Sequence, residues 1–193
     1  RRGRRRSMQS DPGEAALPDT DSSYRILGVD PGLGVTGYAV LAVSDPFSEP
    51  RLVDGGVLRS NERAPLEERL GELHRDLSEI IATLEPAVMA VEDLYAHYNH
   101  PRTSIIMGHA RGVIFLAASQ AGISVHSYAA TEIKKSLVGV GRASKAQVQR
   151  MVQQRLALEE LPEPNDFADA VAAAYCFIDH TLRRSSAAPA VNQ

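Results

Sequence analysis

Apolar positions recur along this chain with two periods, near two and near 3.6, and the alternation between them predicts its elements. Ile26, Leu27 and Val29 form a short apolar run closed by Asp30 and a Pro31-Gly32 turn, the pattern of a buried central strand. Gly32 and Gly34 give that turn backbone freedom. Thr36 to Val43 restarts as a second strand, and Arg51 to Arg59, with Val53 and Val57 flanking Gly55-Gly56, reads as a third. The short connections predict an antiparallel meander.

Leu66, Leu70, Leu73, Leu77, Ile80, Ile81 and Leu84 then recur at steps of three and four, an amphipathic helix with Pro65 at its start and Pro86 after its end. Its other face is charged and solvated. Ala87 to Asp93 is a fourth apolar run that again ends in acid, followed by a loop from Leu94 to Pro101 rich in aromatics and histidine. The stretch Arg102 to Gln120 is helical and apolar nearly all round, and Gly108 and Gly112 would let a second helix approach closely.

Ile123 to Tyr128 is a fifth strand. Helices are predicted over Ala130 to Val138 and over Ser144 to Leu156, the latter opening with the capping-box pattern Ser144-Lys-Ala-Gln147. Past Pro162 and Pro164 a last helix begins, with Asn165 as its N-cap and Asp166 in its first turn. The order β-β-β-α-β-α-β-α-α-α implies an α/β fold: a mixed five-stranded sheet, its first three strands antiparallel, with helices on both faces. Residues 1–23 and 185–193 lack apolar periodicity and are predicted to be disordered tails, which leaves 24–184 as one domain.

Composition narrows the function classes. No apolar run approaches the ~20 residues of a membrane span. The one cysteine, Cys176, lies in an Ala-rich helical pattern and has no disulfide partner, which fits a cytoplasmic protein. The formal net charge of −3 argues weakly against a nucleic-acid partner, but its distribution argues the other way. Thr131 to Arg155 carries Lys134, Lys135, Arg142, Lys145, Arg150 and Arg155 against the single acid Glu132, so a basic face is available.

Four carboxylates carry the candidate chemistry. Asp30 and Glu92 each close an apolar strand, and if those strands are neighbours both acids emerge at one sheet edge. Asp166 and Asp169 lie three apart on the last helix and share a face, while Ala170, Val171, Ala174, Phe177 and Ile178 would pack on the sheet. Each acid also has an ordinary explanation: Asp30 could bond its own turn, Asp166 complement the helix dipole, Asp169 lie at the surface. Converging acids need a counter-charge. No Cys or His spacing offers a zinc site, and all-oxygen ligation suits Mg²⁺ or Mn²⁺. Two such ions ~3.5–4 Å apart are the usual apparatus of phosphodiester hydrolysis.

Taken in order, Gly28-Val-Asp-Pro-Gly32, Ala90-Val-Glu92, Ala110-Arg-Gly112, Tyr128-Ala-Ala130, Lys145-Ala-Gln-Val-Gln149 and Asp166-Phe-Ala-Asp-Ala170 resemble the RuvC family of bacterial Holliday-junction resolvases, within the RNase H-like superfamily. The resemblance runs from about Arg25 to Arg183. It implies an RNase H-like fold and a homodimeric, Mg²⁺-dependent endonuclease, with Mn²⁺ able to substitute and two ions per subunit. Such an enzyme nicks opposed strands of a four-way junction to leave 5′ phosphates, and works beside the branch-migration proteins RuvA and RuvB. Asp30, Glu92, Asp166 and Asp169 match the family's metal-binding acids. Lys134 and Lys145 match lysines near the DNA backbone and scissile phosphate, with Lys135, Arg142 and Arg111 as further DNA contacts. Tyr95 stands where an aromatic stacks on an unpaired base. The helix from Arg102 to Gln120 is the expected dimer face.

Lys145 has a physical argument of its own. A cation in a helix's first turn opposes the dipole, so local stability explains it poorly, whereas a phosphate there would be favoured by both. The chain departs from the family at Asp93-Leu94-Tyr95, where Gln-Val-Phe is common, at a 96–103 loop one residue longer, and at His109 in place of Gln. Those departures imply a different junction distortion or sequence preference. His97 and His100 could assist a metal or phosphate, but read better as solvent-facing loop residues. Two rival classes share features of the chain. The Gly-x-Asp-x-Gly hairpin also opens actin-like ATPases and sugar kinases, which need a second such lobe that is not present in this sequence. A non-catalytic junction-binding protein would not need all four acids.

Overall fold

The structure, a computed structural model, describes residues 23–93 and 101–184. The five strands are β1 (Tyr24–Asp30), β2 (Val35–Val43), β3 (Arg51–Arg59), β4 (Val88–Glu92) and β5 (Ser124–Tyr128). They form one sheet in the order β3-β2-β1-β4-β5. The first three are antiparallel neighbours, and β4 and β5 run parallel to β1, as the element order requires. The helices are α1 (Leu66–Leu84), α2 (Pro101–Gln120), α3 (Ala130–Val138), α4 (Lys145–Arg155) and α5 (Asn165–Phe177), the last running into a π-helical segment at Ile178–Arg183.

Strand periodicity divides the core in two. On β1, Leu27 and Val29 face α1 and α2, where they meet Leu73, Leu77, Ile81, Met89, Val91 and Ile114. Ile26 faces the other layer, with Val88, Ala90, Val171 and Phe177. Period two then puts Gly28 and Asp30 on the face of Ile26, and Glu92 on the face of Val88 and Ala90. Both strand-end acids therefore emerge on the side of the sheet that α5 covers. Parallel pairing of β1 with β4, through Gly28 opposite Ala90 and Val29 opposite Val91, brings the two carboxyl ends level.

α5 can reach this edge because the sheet beneath it lacks side chains. A Cβ on Gly28 would lie 2.0 Å from the Ala170 carbonyl oxygen, and one on Gly37 would lie 1.9 Å from that of Asp166. Gly37 is also the cross-strand partner of Asp30. The backbone of Asp166 thus rests on the residue opposite Asp30. The helix is buried on nearly all sides, from Phe167 to Phe177 apart from Asp169, so the expected packing face of Ala170, Val171, Ala174 and Phe177 is only part of what it buries.

The β1–β2 turn that carries Asp30 is tied down locally. The buried Thr36 hydroxyl donates to the Gly32 carbonyl, Ser60 Oγ donates to the Leu33 carbonyl at 2.5 Å, and Arg69 Nε on α1 donates to Ser60 Oγ at 3.1 Å. α4 begins with the expected capping box: Ser144 N–H donates to Gln147 Oε1 at 2.8 Å and Gln147 N–H to Ser144 Oγ at 3.3 Å. α5 departs from expectation by one residue. Pro164 is the cap and Asn165 the first helical residue, because Pro164 already holds the extended backbone (φ −73°, ψ 174°) that a cap requires and its carbonyl accepts the Phe167 N–H at 3.1 Å. On α2, among the described side chains, Ala110, Ile114, Ala117 and Ala118 are buried, while Ile105, Ile106 and Leu116 stand exposed. Among the described residues nothing lies within 4 Å of a Cβ added at Gly108 or Gly112, so neither glycine is needed for packing against them.

Gly37→Ala tests the seating of α5. The added methyl would meet backbone, which cannot rotate aside, so a loss of about 1–3 kcal/mol in denaturant unfolding is expected. Unchanged stability would mean that α5 does not rest on Gly37.

Candidate active site

Four carboxylates meet where the carboxyl ends of β1 and β4 face the first turns of α5. Asp30, Glu92, Asp166 and Asp169 are all half-buried. Burial pushes the Asp30 carboxyl up from the ordinary 3.8 to about 8, and the neighbouring Glu92, Asp169 and Asp166 push in the same direction, against Lys145. Glu92 is raised by burial and by Asp169, while Lys134 and Lys145 pull it back. Asp169 is likewise raised by burial, held down by Lys145 and Lys134, and raised further by Asp166. Asp30 thus feels all three of the other acids, Glu92 feels Asp169, Asp169 feels Asp166, and Lys134 and Lys145 oppose these effects in part.

Among the described residues no three His, Cys, Asp or Glu side chains form a ready-made metal cage. The acids share a region and a field without being locked around one point. That arrangement still fits Mg²⁺, which keeps several waters and binds through one or two carboxylates together with substrate phosphate. The donor set is all oxygen, and the crowding of acids that adds to the effect of burial on Asp30 is what a divalent cation would relieve.

The basic residues separate into groups. Lys134, half-buried on α3, and Lys145, exposed as the first residue of α4, both act on the acids. Lys135 does not face them. It lines a cavity of about 400 Å³ with Glu132, Ser136, Asp179, His180 and Arg184, at the far end of α5. Arg142 is exposed between α3 and α4, and His109 is exposed on α2.

Arg111 lies among protein partners. Its Nη1 donates to the Glu92 carbonyl, and its Nη2 donates to Asp93 Oδ1 at 2.9 Å and to Ser127 Oγ at 2.7 Å. The guanidinium also sits 4.6 Å from the centre of the Phe115 ring. Tyr95, His97 and His100 lie outside the described residues. Sequence reasoning did not single out the role of Gly37 or the bonds of Arg111. The signal for the second was an arginine in the middle of a largely apolar helix.

The acid cluster makes metal-free stability depend on pH. Between about pH 4 and 8 the folded chain holds a proton on Asp30 that the unfolded chain has released, so stability falls as pH rises through this range and levels off above it. The fall should be on the order of a few kcal/mol, and Asp30→Asn should remove most of it. Thermal melts in a chelating buffer would show this, and Mg²⁺ should raise the melting temperature more at pH 8 than at pH 5. A pH-independent wild type would contradict the crowding.

The family described as "Crossover junction endodeoxyribonuclease RuvC" matches residues 26–177. The chain is 49% identical over 155 residues to the crossover junction endodeoxyribonuclease RuvC of Rhodopirellula baltica, covering 80% of this chain and 86% of that protein. It is 44% identical over 151 residues to that of Heliobacterium modesticaldum, covering 78% and 91%. Among solved structures it resembles the T. thermophilus RuvC in complex with Holliday junction substrate, with a TM-score of 0.76, 31% identity and coverage of 84% and 96%. The yeast mitochondrial Holliday junction resolvase Ydc2, at 12% identity and a TM-score of 0.60, shares the fold. The match spans most of this chain and most of each curated relative, the fold agrees with it, and the chain belongs to the RuvC family of crossover junction endodeoxyribonucleases.

Proposed function

We propose that this chain is a structure-selective endonuclease that resolves four-way (Holliday) DNA junctions by paired nicks, in recombination and repair. The observation that carries the reading is the placement of Asp30 at the end of a buried strand beside Glu92, Asp166 and Asp169, where burial first and then those acids raise it to about 8. A group so unfavourable to the fold is explained by a catalytic task.

Asp30, Glu92, Asp166 and Asp169 would hold two Mg²⁺ ions, for which Mn²⁺ can substitute. When bound, the ions supply a lowered pKa to the attacking water and neutralise charge at the leaving 3′ oxygen, which leaves a 5′ phosphate. Asp30 must be ionised to serve, so its proton leaves as the site fills. Lys145, at the N-terminus of α4, offers its own charge together with the helix dipole to a backbone phosphate. Lys134 on α3 also acts on Glu92 and Asp169 and would contact the backbone of the same strand. Arg142 and Lys135 extend the basic surface away from the reacting centre, and Tyr95 would stack on a base unpaired at the crossover.

A two-fold dimer suits a substrate with two equivalent strands, since it sets two sites symmetrically. The exposed Ile105, Ile106 and Leu116 and the uncovered Gly108 and Gly112 on α2 support that helix as the shared face. No described helix is long and apolar enough to cross a membrane. A cytoplasmic site of action and cooperation with RuvA and RuvB complete the proposal.

Purified protein incubated with labelled four-way, three-way and linear duplex DNA tests it. With Mg²⁺ the four-way junction should be nicked symmetrically into ligatable products, and without metal none should be cut. Asp30→Asn should lower the nicking rate on the order of a thousandfold or more while retaining junction affinity. Nicking by the pure variant, or cutting of linear duplex at the same rate, would contradict the reading.

A further inference from the structure

We infer that Arg111 is a positioning residue of the active site, which fixes the end of β4 and hence the presentation of Glu92; the inference rests on the nuclease reading above. Its guanidinium donates from Nη1 to the Glu92 carbonyl and from Nη2 to Asp93 Oδ1 and Ser127 Oγ. Those three acceptors span the last residue of β4, the residue after it and the adjacent strand β5. One side chain on α2 therefore ties three elements together where the strand ends.

The place is mechanically demanding. Glu92 is the final residue of β4, and its carbonyl accepts from Arg111 at the point where the strand stops. Immediately after it, the Asp93 N–H donates to the Tyr128 carbonyl at 2.8 Å, which continues the ladder for one rung. Without Arg111, Glu92 would hang from a strand end secured on one side only.

Arg111 bonds the Glu92 backbone carbonyl, and its ion pair is with Asp93 and not with the Glu92 carboxylate. The charges that act on that carboxylate are those of Asp169, Lys134 and Lys145. The arginine side chain is only 13% exposed, so little of it is left for a phosphate. It stacks on Phe115 and bonds three acceptors, which a lysine's point charge cannot reproduce in that fixed fork. Its position in the Ala110-Arg-Gly112 motif is thus explained by architecture. A DNA contact would instead present the guanidinium to solvent.

Arg111→Lys, Arg111→Ala and Ser127→Ala separate the two roles. Three quantities would be measured: the Mg²⁺ concentration for half-maximal nicking, the metal-free junction affinity as a function of salt, and the rise in melting temperature on adding Mg²⁺ without DNA. The positioning role predicts that Arg111→Lys raises the Mg²⁺ requirement about tenfold and shrinks the Mg²⁺-induced melting shift. Junction affinity and its salt slope should stay within about threefold and about 0.3 of wild type. Ser127→Ala, which removes one acceptor, should move the same quantities less, and it keeps the test open if Arg111→Ala fails to fold.

A salt slope reduced by about one with an unchanged Mg²⁺ requirement would make Arg111 a phosphate contact and overturn the inference. So would an Arg111→Lys protein indistinguishable from wild type. If the wild type is stabilised by Mg²⁺ yet does not nick, the nuclease reading fails, while the melting shift still decides whether Arg111 positions Glu92.

Discussion

The close approach of α5 to the sheet is the constraint on which the rest depends. Two positions, Gly28 and Gly37, have no side chain because the backbone of the helix occupies that space. Were the helix to ride at the distance that ordinary side chains impose, Asp166 and Asp169 would stand back from the strand ends by several ångströms. Strand parity does the complementary work: it sends Asp30 and Glu92 to the face on which α5 lies, and parallel pairing of β1 with β4 sets them level. Chain segments more than a hundred residues apart are thereby brought to one place by sheet register and a helix seated on glycine.

That assembly is electrostatically unfavourable by construction. Burial raises Asp30, Glu92 and Asp169, neighbouring acids add to each rise, and Lys134 and Lys145 offset part of it. The surrounding structure is correspondingly secure. Thr36, Ser60 and Arg69 pin the turn beside Asp30, the capping box fixes the start of α4 under Lys145, and Arg111 closes the end of β4. A rigid frame around an unstable charge cluster is the pattern expected when local stability has been given up for function.

Much of this was legible in the residues. Apolar runs ending in acid marked Asp30 and Glu92, the i, i+3 spacing marked Asp166 and Asp169, and Ser144 with Gln147 announced a helix start, because all of these signals are local. What escaped was long-range or directional. Gly37 looks like any strand glycine until a helix from the other end of the chain is seen to lie on it. Lys134 and Lys135 are neighbours in a basic run, yet a helix turns about 100° per residue, so one faces the acids and the other a cavity at the far end of α5. The first residue of α5 shifted by one because Pro164 fixes its own backbone, a steric fact that outweighed the capping preference of Asn165.

The central claim is that the four acids act together as a divalent-metal site. It is tested most directly by growing crystals with Mn²⁺ and locating the ions by their anomalous scattering. The account predicts density between Asp30 and its neighbours Glu92, Asp166 and Asp169, lost in the Asp30→Asn protein. Manganese bound elsewhere, or none at this edge of the sheet when a junction is also present, would contradict it.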